Sequence, residues 1–164
     1  MNNEDSVTDA PPETTAGGEI ARLVRTHNTQ LFMVIVSALT AVGFVQTAHI
    51  FSEAPPFLEA LTWGRIALLA AVLASNATTT ALAIRRARSD ATAPPERAAL
   101  REFVRAKTIA TWSLAMAADF CAVSLLFGHR TMDALIALAA FLLLWMARPN
   151  PEGLASFQST IQGG

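Results

Sequence analysis

The chain has 164 residues, of which 12 are basic and 13 acidic, for a formal net charge of −1. Hydrophobic residues make up 52% and charged residues only 15%, against about 25% in an average soluble domain. These figures exclude a disordered chain, which would be polar and highly charged, and a disulfide scaffold, because Cys121 is the only cysteine. With no net basic charge, nucleic acid is not an expected partner.

Residues 1–20 carry Pro11-Pro12, Thr14-Thr15 and Gly17-Gly18 and read as a disordered tail. Residues 21–30 are expected to begin a helical extension ahead of the first apolar stretch, 31–51. That stretch is too long for a signal-peptide core and follows five acidic residues, so it reads as a retained helix. The second stretch is 66–84, the third 108–128 and the fourth 132–147. Together they hold 77 residues with only Asp119 and Asp133 charged; the other 87 residues hold the remaining 23 charges. A membrane-spanning helix needs about 20 apolar residues. A soluble helix would show a polar stripe near a period of 3.6, and the first and fourth stretches show none. The expected fold is therefore all-α: a membrane-embedded four-helix bundle over 21–157, with 158–164 as a flexible tail. The lipid bilayer is its first partner.

The basic residues set the expected orientation. Arg22 and Arg25, seven residues from Arg85 to Lys107, and Arg148 fall on one side, and only Arg65 and Arg130 on the other. The positive-inside rule places both termini in the cytoplasm. Trp63, Trp112 and Trp145 fall at span ends, where indoles favour the headgroup zone. All eight prolines lie outside the spans. Pro94-Pro95-Glu96 suits a helix start that runs on into the third span. A faint duplication relates Arg22–Arg25 and His49 to residues 80 further on.

Asp119 is the most informative residue. A carboxylate at mid-membrane costs about 2.5–3.5 kcal/mol, so it needs a proton, a partner or water. Depth counted at 1.5 Å per residue puts Asn76 at the same level, and the two are expected to approach inside the bundle. Ser75, Thr78 and Thr79 beside Asn76 make a polar run able to line a solute path or to bond across helices. Ala67, Ala71 and Ser75, with Ala70 and Ala74, form small-residue rows for close helix packing, as do Ser113, Ala117 and Cys121 on the third helix. Gln46 ends the first span. His49 and His129 share one level, where two imidazoles could hold haem or a metal or simply face water. Asp133 follows Thr131 and suits the first turn of a helix. The basic loop up to Lys107 obeys the orientation rule and would also attract anionic lipid. No HExxH, CxxC, GxSxG or phosphate-loop pattern is present, so neither enzyme chemistry nor a cofactor is expected.

Arg105-Ala-Lys107-Thr108-Ile109 entering the third span, a Leu/Ala-rich fourth span and the exit Arg148-Pro149-Asn150-Pro151 running to Phe157 resemble a group of small, uncharacterised bacterial four-helix membrane proteins. The resemblance implies a bacterial cytoplasmic membrane and no established activity. In that group a Glu often occupies the third helix, in a setting distantly similar to rotary-ATPase c subunits. Here Met116 stands at the matching position, with Asp119 a turn away. The expected function is a non-enzymatic accessory or structural subunit, or a small homo-oligomer joined through its small-residue rows. The alternatives are an ion or solute transport component using Asp119 with Asn76, and a redox subunit using His49 and His129.

Overall fold

A computed structural model describes residues 16–48, 57–127 and 131–163. They form five helices and no strand: α1 (Ala16–Ala48), α2 (Leu58–Ser89), α3 (Pro95–Val123), α4 (Thr131–Met146) and α5 (Pro151–Gln162). A single 3₁₀ turn, Ser124–Leu126, follows α3. Three helices, α1 to α3, are long and apolar enough to cross a membrane. At 16 residues α4 is about 24 Å long, short of a bilayer core of about 30 Å. It meets α5 at a 72° bend.

The described residues thus form five helices, of which three meet the length and apolarity of a span, where four spans were expected. α2 begins eight residues before the apolar stretch does, and the basic loop shrinks to 90–94. Charged residues mark where a helix leaves apolar surroundings, not where its hydrogen bonding stops. Arg86 and Arg88 sit in the last turn of α2, where cations favour the helix dipole. α3 then starts on Pro95 at its first position, where the missing N–H costs nothing. Asp90 organises the five-residue turn by accepting from the Thr92 amide at 3.0 Å and pairing with Arg101.

Residues 151–157 of the expected exit segment, and most of the expected flexible tail, belong to α5. Asn150 is extended, as a residue before proline prefers, and its Oδ1 accepts from the Gly153 amide at 2.7 Å. Leu154 and Phe157 are buried, and the Phe157 ring meets Phe103 edge-on at 5.6 Å. They complete a core at the loop end with Ile20, Leu23, Ala83, Ala99 and Ala106. A second core, nearer the opposite end, joins Leu31 and Val34 to Leu114, Ala118, Cys121, Ile136 and Leu144.

α3 is the central helix and packs on α1, α2, α4 and α5. Its buried side is mostly alanine, from Ala98 and Ala99 to Ala117, Ala118 and Ala122, so neighbouring backbones approach closely. The outer surface carries large apolar residues, among them Phe32, Leu39, Met116 and all three tryptophans. Contiguous exposed apolar surface of this kind marks a face that meets lipid or another protein.

Candidate functional site

On α2, Leu58, Thr62, Arg65, Leu69, Val72, Asn76, Thr79 and Ala83 recur at alternating spacings of four and three, and every one is buried or half-buried. This is the seam of a coiled-coil-like packing, and it turns polar residues inward. The small rows lie on the other side. Ala67, Ala70, Ala71, Ala74 and Ser75 are exposed, so the described residues do not bury them. The α3 row behaves as expected, with Ala117 and Cys121 buried and Ser113 half-buried.

The polar run divides by this geometry. Asn76 and Thr79 face in, while Ser75, Thr78 and Thr80 face out. The Thr78 and Thr80 hydroxyls donate to the carbonyls of Ala74 and Asn76, both at 2.9 Å. Such back-bonding satisfies a hydroxyl locally. These two outward threonines therefore line no path through the bundle.

Arg65 and Asp133 form the most strongly buried polar centre, each at 0% exposure. The sequence places Arg65 on the side opposite most basic residues and gives Asp133 only a helix-dipole role; the structure joins them in an ion pair. The Arg65 guanidinium also donates through Nε to Ser124 Oγ at 2.6 Å and through Nη2 to the Ser124 carbonyl at 2.7 Å. Thr62, one turn earlier on α2, donates to Asp133 Oδ1 at 2.7 Å. Three elements converge: the α2 seam, the 3₁₀ turn that ends α3, and the first turn of α4. The Ser124 carbonyl accepts from the Phe127 amide within the 3₁₀ turn at 3.1 Å as well as from Arg65 on α2. Only Asp133 Oδ2 in this centre lacks a partner. The signal available beforehand was charge matching, since Asp133 and Arg65 lie at the same end of their helices.

The expected approach of Asn76 to Asp119 is corrected. Ser113 donates to Asn76 Oδ1 at 2.9 Å, and Asn76 Nδ2 has no partner. Arg65 and Asn76 are eleven residues apart, as are Ser113 and Ser124, so both contacts belong to one antiparallel register. That register sets Asp119 level with Ala70, about 9 Å along α3 from Ser113. Depth counted from charged boundaries misplaced Asn76 because α2 starts well before Ile66. Asp119 itself is half-buried beside fully packed Ala118, and among the described residues no hydrogen bond or ion pair reaches its carboxyl. Met116 faces outward.

Gln46 lies in the last turn of α1, but its side chain is outside the described residues, as are His49 and His129. No cluster of metal-ligating side chains occurs among the described residues. Cys121 is fully buried, in keeping with a packing role. No protein family matches the chain, and neither a curated protein nor a solved structure matches it.

Proposed function

We propose that this chain is a non-enzymatic integral membrane protein, an accessory or structural subunit that assembles with copies of itself or with other membrane proteins. The observation that carries the reading is that two sets of inward polar groups bind one another across helices. Arg65, Asp133, Ser124 and Thr62 close on themselves, and Asn76 meets Ser113. Polar groups arranged this way hold helices in register. Three helices are able to cross a membrane. We add α4 as a short fourth span, with α5 turned along the interface as an amphipathic helix. The clustered arginines around the α2–α3 turn argue for a cytoplasmic loop and cytoplasmic termini. The resemblance to small bacterial membrane proteins favours the bacterial inner membrane.

Assembly is assigned to the outward rows of α2, because small residues let a second helix approach closely. The test is cross-linking of Ala71→Cys in native membranes, with the mass of the purified complex measured in mild detergent. A cross-linked dimer or a stable co-purifying protein supports the reading. A monomer with neither sinks it.

Asp119 favours a second reading, as a transport component, because its carboxyl stands at mid-span without a partner. Flux in proteoliposomes that disappears in Asp119→Asn would carry that reading over the first.

A further inference from the structure

Where α2, α3 and α5 meet at the loop end, the fold leaves a cavity of about 270 Å³. Ile84, Phe103 and Phe157 supply apolar walls, and Thr80, Ser156 and Thr160 supply hydroxyls. Lys107 is the one cation in the lining. Its ammonium stands 5.9 Å from the Phe103 ring centroid, and among the described residues no carboxylate pairs with it. Of the nearby acids, Asp90 pairs with Arg101, and Glu102 Oε1 approaches Arg101 at 3.7 Å while its Oε2 is buried without a partner among the described residues. Arg88 is held on the Thr160 carbonyl. The Thr80 and Thr160 hydroxyls donate to backbone carbonyls, which leaves the Ser156 hydroxyl free to donate into the cavity.

A half-buried ammonium with no counter-ion, a free hydroxyl and an apolar wall together fit an anionic group attached to an apolar body. Lys107 directly precedes the third apolar stretch, and Thr80–Ile84 closes the second. If the helices span, the cavity therefore sits at headgroup depth. We infer that this cavity binds the phosphate of an anionic amphiphile, with Lys107 as its counter-charge and Ser156 as a hydrogen-bond donor. The inference rests on the membrane reading for the phospholipid as source. Free phosphate would use Lys107 and Ser156 but not the apolar walls.

The test is native mass spectrometry of the full chain in neutral detergent, titrated with phosphatidylglycerol, phosphatidylcholine and inorganic phosphate. Phosphatidylglycerol is expected to bind one per chain and tighter than phosphatidylcholine. Lys107→Gln should weaken it about five-fold, the worth of one lysine near an anionic headgroup. Ser156→Ala should weaken it less, and Arg105→Gln, a change at an exposed neighbour, not at all. Ile84→Ser should weaken the lipid but not inorganic phosphate, which separates the two sources. Equal losses in Lys107→Gln and Arg105→Gln would reveal diffuse attraction and overturn the site, as would unchanged binding in Lys107→Gln and Ser156→Ala at native helix content. Extraction of the chain from cells without detergent would sink the membrane reading instead, and leaves the inorganic-phosphate arm to judge the cavity.

Discussion

Removing one member of the Arg65–Asp133 pair leaves the other charge buried at 0% exposure. Breaking a buried pair from one side costs about 3–5 kcal/mol, several times the roughly 0.6 kcal/mol of an average interhelical hydrogen bond in a membrane. Asp133→Leu strands a guanidinium that cannot discard its charge, so it belongs at the upper end. Arg65→Met strands a carboxylate, which can take up a proton, so it belongs at the lower end. The double variant should behave differently from both. Ser124 Oγ still donates to the Cys121 carbonyl at 2.9 Å, and the Ser124 carbonyl still accepts from the Phe127 amide at 3.1 Å. Thr62 Oγ1, released from Asp133, can turn its one hydrogen to the Leu58 carbonyl, 3.1 Å away. No partner is left unsatisfied, and two apolar side chains fill the space, so the double change should cost under about 2 kcal/mol. The assay is reversible unfolding in mixed micelles, followed by helix content, on all four members of the cycle. A double variant that loses the sum of the singles, about 6–10 kcal/mol, would refute the reasoning, as would singles costing under about 1 kcal/mol.

Three further outcomes are expected. Ser113→Ala should cost about 0.6 kcal/mol, and Asp119→Asn should leave the Asn76–Ser113 contact intact, checked by unfolding and by the Asn76 side-chain amide signals in NMR. Gly153→Ala should cost about 1 kcal/mol, because the new Cβ would lie 2.7 Å from Asn150 Oδ1 and displace the α5 cap; Asn150→Ala should match it within error in the same assay. The Thr92 hydroxyl and amide, and then Arg101, hold the Asp90 carboxyl below its ordinary value of 3.8. A depressed acid favours the folded turn above 3.8 and loses that contribution as pH falls through the folded value, so a carboxyl NMR titration of Asp90 should give a midpoint below 3.8 that rises in Thr92→Val.

The apolar helices were legible because their composition is extreme, and the outward tryptophans follow from the same logic. Helix ends were not, because Arg85–Ser89 continue α2 on backbone hydrogen bonds that charge does not report. The α2 seam is visible in retrospect as Thr62, Arg65, Asn76 and Thr79 sharing one face at spacings of three and four. It was obscured by the competing four-residue rows of alanine, which are more regular but lie outside. The Arg65–Asp133 pair joins residues 68 apart and depends on α4 lying beside α2, which no local pattern encodes. α5 was read as an exit running on from Pro149 and Pro151, although Asn150-Pro151 is a helix start.

On α2 the polar residues Arg65 and Asn76 turn inward while large apolar residues such as Leu73 and Leu82 turn outward, opposite to the habit of a soluble amphipathic helix. In water that arrangement would be costly, since burying Arg65 and Asn76 forfeits hydration while exposed Leu73 and Leu82 gain none of the benefit of burial. In hydrocarbon the signs change: outward apolar side chains cost nothing, and an inward polar group keeps its partners only while the helices stay in register. The two acids of the apolar stretches then separate cleanly. Asp133 is matched by a guanidinium, a serine and a threonine within one centre, and its role is explained by that centre. Asp119 lies level with Ala70 and takes no part in the register bonds, so packing does not account for a carboxylate there. If the second proposed reading, transport, holds, Asp119→Asn should leave unfolding within about 0.5 kcal/mol of the parent while abolishing flux in proteoliposomes; flux unchanged by the substitution would refute that reading.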